Sequence, residues 1–340
     1  MMPNFASRGQ WGLFLLDEAI ARRYAAALVL TGGLVGLPVL PIAVASIILD
    51  ECLNLAPWLV HFAMMARVDL SSCLQARRVD ISNAKLKTDA ADPIGWLMRQ
   101  SSGLQSLDVS GNDLGVRGAA AIGRALPQAT SLRSLKLNHT HACSAGGTDP
   151  AGLLSLAAGL RAHPSLQKLS LRGNLIGAAS GNAVLRALTA AVGDPRTKVR
   201  HLDLSGNPLG HEGATLLARL LAAQPMLVRL DAAGCQLMGS WGKVRDGVRA
   251  LAAAVAASNT LEVLDLTENA LGRSSEAMDQ WHLDERNVTA CPAIFLVEAV
   301  RANTSLQQLH LSSNHIVGDQ EERLREAWRA HGRPEAALVL

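Results

Sequence analysis

A recurring frame, LxxLxLxxNxL, restricts this chain more than any other feature. It fits Leu104-Leu107-Val109-Asn112-Leu114, Leu166-Leu169-Leu171-Asn174-Ile176 and Val199-Leu202-Leu204-Asn207-Leu209. It fits again at Leu261-Leu264-Leu266-Asn269-Leu271 and Leu306-Leu309-Leu311-Asn314-Ile316. Two copies differ at the polar position: Leu132-Leu135-Leu137 has Thr140, and Leu227-Leu230-Ala232 has Cys235. An eighth copy begins at Ala76, with Val79, Ile81, Ala84 and Leu86. A period of this kind decides the architecture before local propensities are weighed. Apolar residues make up 49% of the 340 positions and charged ones 18%, a balance that excludes a disordered chain.

A second pattern fills the rest of each unit. After the strand of the unit at 104 come Gly118, Ile122 and Leu126, and the unit at 199 repeats them as Gly213, Leu217 and Leu221. With six more residues allowed, the units at 132 and 227 supply Gly152, Leu156, Leu160 and Gly247, Leu251, Val255. The weak unit at 76 supplies Ile94 and Met98. An apolar i, i+4 pair in an Ala- and Leu-rich stretch is the inward stripe of an amphipathic helix. The start-to-start spacings are 28, 28, 34, 33, 28, 34 and 45, room for a strand and a full helix in every unit.

These residues and spacings resemble the leucine-rich-repeat family, in its ribonuclease-inhibitor-like subclass. The resemblance implies a right-handed α/β solenoid, a horseshoe with a parallel concave sheet and a helical convex face. Seven or eight repeats are expected over residues 66–318, between an apolar helical N-terminal segment (1–65) and a C-terminal capping helix with its tail (319–340). No unit can bury its leucines alone, so neighbours must stack into one core. The ninth-position Asn suits a turn interior, where its amide can bond backbone groups that a bending strand leaves unpaired. Thr140 and Cys235 keep part of that capacity; Ala84 keeps none.

The third, fifth and seventh frame positions point to solvent on the concave side. The fifth column reads Asp80, Asp108, Lys136, Ser170, Asp203, Asp231, Asp265, His310; the third reads Arg78, Ser106, Ser134, Lys168, His201, Arg229, Val263, Gln308. Strands about 4.8 Å apart would stack Asp203, Asp231 and Asp265 as like charges. Each neighbouring pair then costs on the order of 1–3 kcal/mol at an effective dielectric of about 20 to 80. Arg229 and His201 can offset part of this, and Arg172 lies on the same face at a seventh position. Such a stripe either docks a basic partner surface or reflects the common use of L-D-L in this kind of repeat.

Three units carry extra residues at one phase, between strand and helix: about His139–Asp149, Gly239–Asp246 and Arg273–Pro292. Insertions at one phase project from one rim, which is often a binding face. No aromatic residue occurs from Leu97 to Ser240, yet Trp241 and Trp281 lie in two of these insertions. Tryptophan is enriched at interface hot spots. One expectation is a partner site on this rim anchored by Trp241 and Trp281, with His282, Asp279 and Arg286 around them; the alternative is that both indoles fold down over the solenoid edge.

The net charge of +3 is spread without blocks, and aromatics make up 3%, so no footprint for nucleic acid is present. Five cysteines without a CxxC pair suit a reducing compartment rather than a disulfide framework, and an intracellular, cytoplasmic location is expected. No motif of hydrolases, nucleotide binding or metalloproteases occurs. His139 and His141 with Cys143 have metal-capable side chains but lack a fourth ligand, so no metal or cofactor is expected. Three glycosylation sequons, at Asn138, Asn287 and Asn303, matter only in a secretory lumen.

Residues 25–49 form 25 positions without a charge, long enough to span a bilayer. Gly32, Gly33, Gly36, Pro38 and Pro41 interrupt them, and a cleaved signal would have to tolerate Asp17 and Glu18. Alternatively the segment is a soluble cap over the first repeat. Leu40-Pro41, Ile48-Leu49, Cys52-Leu53, Leu59-Val60 and Phe62 loosely resemble an F-box. Asp319 to His331 reads as the closing helix, with Leu324 and Trp328 at i, i+4; the apolar tail 336–340 has no role legible in the sequence. The function expected is a non-catalytic protein-binding scaffold or regulatory subunit. The alternatives are an F-box-like adapter of a ubiquitin ligase and a membrane-anchored subunit of a larger complex. Partner identity and oligomeric state stay open.

Overall fold

The computed structural model describes residues 62, 65–66, 70–144, 147–161, 163–177, 182–238, 244–272, 292–316 and 318–340. Among the described residues nine strands form one open sheet in strict chain order, and every pairing is parallel. After α1 (Leu70–Gln75) and β1 (Arg78–Asp80), helix and strand alternate. The series runs α2 (Ala91–Gln100), β2 (Ser106–Asp108), α3 (Gly115–Ala125), β3 (Ser134–Lys136), α4 (Ala151–Arg161), β4 (Lys168–Ser170) and α5 (Ala183–Val192). It continues as β5 (His201–Asp203), α6 (Gly210–Ala223), β6 (Arg229–Asp231), α7 (Val244–Ala257), β7 (Val263–Asp265), α8 (Ala293–Ala302), β8 (Gln308–His310), α9 (Asp319–Arg329) and β9 (Leu338–Val339). This is an α/β leucine-rich-repeat solenoid.

Each strand of a repeat is three residues long, and its middle residue is buried between two that are not. The middle residues meet in register: Val79, Leu107, Leu135, Leu169, Leu202, Leu230, Leu264 and Leu309 form one spine. With the helical leucines they belong to a single buried cluster that reaches from Phe62 to Leu338. Helices need about 8–10 Å between axes and strands only about 4.8 Å, so the helical side is the longer arc and the sheet takes the inner curve. Where α3 and α4 lie against each other, glycines set the spacing. A methyl group at Gly159 would collide with the carbonyl oxygen of Gly123.

The ninth-position asparagines are buried and fully used. Asn174 Nδ2 donates to Leu137 O at 2.6 Å and Leu171 O at 3.0 Å, and its Oδ1 accepts from the N–H groups of Thr140 and Ala142. Asn269 and Asn314 repeat this pattern three and four units further on. Thr140 keeps a single hydroxyl donor, 3.0 Å from both Leu137 O and Asn174 Oδ1, and Cys235 offers only its thiol to Leu204 O. The eighth position is left-handed in all eight units, with φ from 52° to 69°. Glycine fills it in four of them, and Asn83, His139, Glu268 and Ser313 fill the others.

Two differences from the sequence reading concern the ends of elements. Val244–Asp246, counted there with an insertion, already belong to α7. The tail forms β9, with Leu338 opposite Leu309 and Val339 opposite His310, so the sheet continues past the last frame copy. Trp328 holds that tail: its indole N–H donates to Pro334 O at 2.9 Å, and Arg333 stacks on its ring at 4.8 Å. At the other end Phe62, Ala66 and Cys73 are buried in the same core cluster. The uncharged stretch 25–49 and most of the F-box-like pattern lie outside the described residues. Among the described residues no helix is long and apolar enough to cross a membrane.

Candidate functional site: the concave sheet face

Side chains at third and fifth positions flank the buried spine, so parallel in-register pairing turns sequence columns into spatial rows. Lys168, His201 and Arg229 are consecutive register partners, as are Ser170, Asp203, Asp231 and Asp265. The structure therefore brings Asp203, Asp231, Asp265 and Arg229 together on β5–β7. Arg172 is exposed in the turn just after β4.

Most of the aspartates also have a local task. Oδ1 of Asp80, Asp108, Asp203 and Asp265 accepts the backbone N–H two residues on, from Ser82, Ser110, Ser205 and Thr267 at 2.9–3.0 Å. That bond caps the strand as it leaves the sheet, and Asp is suited to it because a short carboxylate reaches its own i+2 amide. Asp231 departs from the rule. Its i+2 residue is Ala233, whose N–H goes to Ser205 Oγ at 3.3 Å. The Asp231 carboxylate is instead held by Arg229, whose Nε lies 2.7 and 3.0 Å from the two oxygens.

The electrostatics follow from this geometry. Burial pushes the Asp231 carboxyl above the usual carboxylate range; Arg229 pulls it back, and Asp203 and Asp265 push it up further. The bond to Asp231 holds the Arg229 guanidinium more firmly protonated. Burial lowers the His201 pKa, with Lys168, Arg229 and Arg200 adding to the effect, so the neutral imidazole is favoured. Ser170 Oγ lies 2.6 Å from Asn138 Oδ1 and 2.7 Å from Asp203 Oδ2. On β2 and β3 the Asp108–Lys136 ion pair is 3.1 Å long. Lys168 and Arg172 are exposed and make no ion pair among the described residues.

The sequence does not set Lys136, Asn138, Lys168 and Ser170 apart as site residues. The triplet D-x-[S/T], present at Asp80, Asp108, Asp203 and Asp265 but broken at Asp231, marks in the sequence which carboxylates cap their own turns, but no comparable pattern marks Lys136, Asn138, Lys168 or Ser170. Trp241, Trp281 and His282, with Asp279 and Arg286, lie outside the described residues. Burial raises the pKa of Cys143 to about 11 and that of Cys235 to about 12, which makes both poor nucleophiles. His141 Nδ1 lies 3.0 Å from Asp113 Oδ1. No group of three metal-capable side chains occurs among the described residues.

The family model and the sequence relatives agree with this architecture. A model of the family described as "Leucine Rich repeat" matches residues 100–123, 197–218 and 302–320. The chain is 28% identical over 283 residues to a ribonuclease inhibitor of Sus scrofa, covering 71% of this chain and 59% of that protein. It is 26% identical over 300 residues to a ribonuclease inhibitor of Mus musculus, covering 77% and 63%. The chain thus spans about three fifths of the length of these relatives. Among solved structures it is similar to the leucine-rich repeat-containing protein LegL7 of Legionella pneumophila (TM-score 0.46, 19% identity, 74% of this chain and 70% of that one). A second is the tropomodulin C-terminal domain of Caenorhabditis elegans (TM-score 0.38, 17% identity, 63% and 99%). The chain is a leucine-rich-repeat protein. Its units, each a short strand followed by a full helix, and its pig and mouse relatives make it ribonuclease-inhibitor-like.

Proposed function

We propose that the chain is a non-catalytic protein-binding scaffold or regulatory subunit that takes its partner on the concave sheet face. One observation carries this reading. The frame leucines and asparagines are buried in the core and turns, whereas the third and fifth columns present an ordered array of opposite charges to solvent. A charged inner curve suits recognition of a folded surface, and among the described residues it offers no activated nucleophile or paired acid and base. The relatives' name, ribonuclease inhibitor, supports a protein partner. The buried thiols of Cys143 and Cys235 support a reducing, intracellular setting. The test is a photo-crosslinking map in the native cell. Crosslinkers placed at Ser106, Val263 and Gln308 on the concave face should capture the same protein. Crosslinkers at Arg124, Leu154 and Arg219 on the helices should not. Capture from the helical positions alone would overturn the assignment.

A further inference from the structure

Strands β4 to β7 form a strip of the concave face whose two ends have opposite sign, and their spacing selects a shape. Lys168 and Arg172, on β4 and its following turn, are exposed cations without an ion pair among the described residues. One to three strands further on stand Asp203, Asp231 and Asp265, with Arg229 bonded to the middle one. Arg229 offsets one carboxylate, so β5–β7 keep an anionic excess while β4 keeps a cationic one. Small seventh-position side chains, Ser205, Ala233 and Thr267, leave the floor beside these rows low.

We propose that this strip docks one α-helix of the protein partner. The helix lies along the solenoid, acidic where it meets Lys168 and Arg172 and basic where it meets Asp231 and Asp265. The proposal rests on the concave-face reading above and adds the partner's form and charge order. Strand spacing puts β6 and β7 about 9.6 and 14.4 Å from β4. Helical residues at i+7 and i+10 rise about 10.5 and 15 Å from residue i and share one face with it. An acidic residue at i with basic residues at i+7 and i+10 therefore reaches all three strands within about 1 Å. An extended segment fits poorly, because its same-face residues are about 6.6 Å apart, against about 4.8 Å between Asp231 and Asp265.

Three stapled helical peptides of identical composition test this by fluorescence anisotropy against the full chain at low salt. One carries Glu, Lys, Lys at i, i+7, i+10; the second reverses the signs; the third moves the lysines to i+4 and i+6. The first should bind at least about tenfold more tightly than the others. D265N and K168Q should each remove most of that preference. D265N keeps the oxygen that accepts the Thr267 N–H, so the turn stays capped, and circular dichroism checks the fold of both variants. Equal binding of the three peptides, no binding of the first, or a preference unchanged in both variants overturns the proposal. The crosslinking map separates the two readings: concave capture with failed peptides leaves the protein-binding function standing and removes only the helix.

Discussion

Asn207 shows how much one side chain can hold in this fold. Its Nδ2 donates to Leu171 O at 3.0 Å and Leu204 O at 2.7 Å, while its Oδ1 accepts from the N–H groups of Asn174 and Ile176 at 2.9 and 3.0 Å. Asn207→Ala would leave the buried N–H groups of Asn174 and Ile176 without their acceptor and remove one of two donors from Leu171 O and Leu204 O, and a loss on the order of 3 kcal/mol is expected in urea unfolding. Cys235 occupies the same position with one weak bond, so Cys235→Asn should stabilise by about 1 kcal/mol in the same assay. A second row of polar residues, three positions before the frame, joins consecutive units. His163 Nε2 donates to Ala129 O at 2.9 Å, while Nδ1 accepts the N–H groups of Ser165 and Leu166. Gln224 and Asn303 do the same work with amides. The imidazole must be neutral for this, and burial lowers its pKa from 6.5. The unfolded chain therefore takes up the proton first as pH falls. The stability His163 contributes is present above 6.5 and is lost as pH drops towards its lower folded value. Urea midpoints of the wild type and His163→Gln should converge on acidification; a constant difference would refute the assignment of the two acceptor bonds.

At the scale of elements, the C-terminal end shows how a solenoid closes. Helix α9 buries Leu324, Ala327 and Trp328, and the chain then turns through Arg333 and Pro334 to lay Leu338 against the spine. Arg333 donates to the carbonyl oxygens of Val300 and Asn303 at the end of α8, groups that a helix cannot pair by itself. Trp328 touches both parts of the device. Trp328→Ala should cost about 3–5 kcal/mol and also free β9. Because the Leu311 N–H donates to Val339 O, its hydrogen exchange should accelerate more than that of the matching Leu204 N–H, which donates to Asp231 O in the middle of the sheet. Equal acceleration at both sites would mean that the tail is held by something else.

At the scale of the whole molecule, the curve that packs the leucines also concentrates charge on the inner face. Side chains that are far apart in sequence become neighbours one strand apart, as with Lys168, His201 and Arg229. Partner association on this face should weaken steeply with ionic strength, because its unpaired charges are solvent-accessible and screened within about 10 Å at 0.1 M salt. The effect belongs in the association rate, measured by surface plasmon resonance across a salt series. A rate indifferent to salt would assign binding to apolar contacts elsewhere.

The frame by itself determined the architecture, the in-register leucine spine and the buried role of Asn112, Asn174, Asn207, Asn269 and Asn314. A period of burial repeated along a chain has only one way to stack. It also placed Asp203, Asp231, Asp265 and Arg229 on one face, since side chains alternate along a strand. Tertiary structure alone decided which charges are already satisfied. Four aspartates cap their own turns and Asp231 does not, because the Ala233 N–H is taken by Ser205 from the preceding unit. It also decided that residues 338–339 add a ninth strand and that His163 bridges two units. Those outcomes depend on contacts between groups about 30 residues apart in sequence, as from Ser205 to Ala233 and from Ala129 to His163, and a local pattern carries no record of such distances.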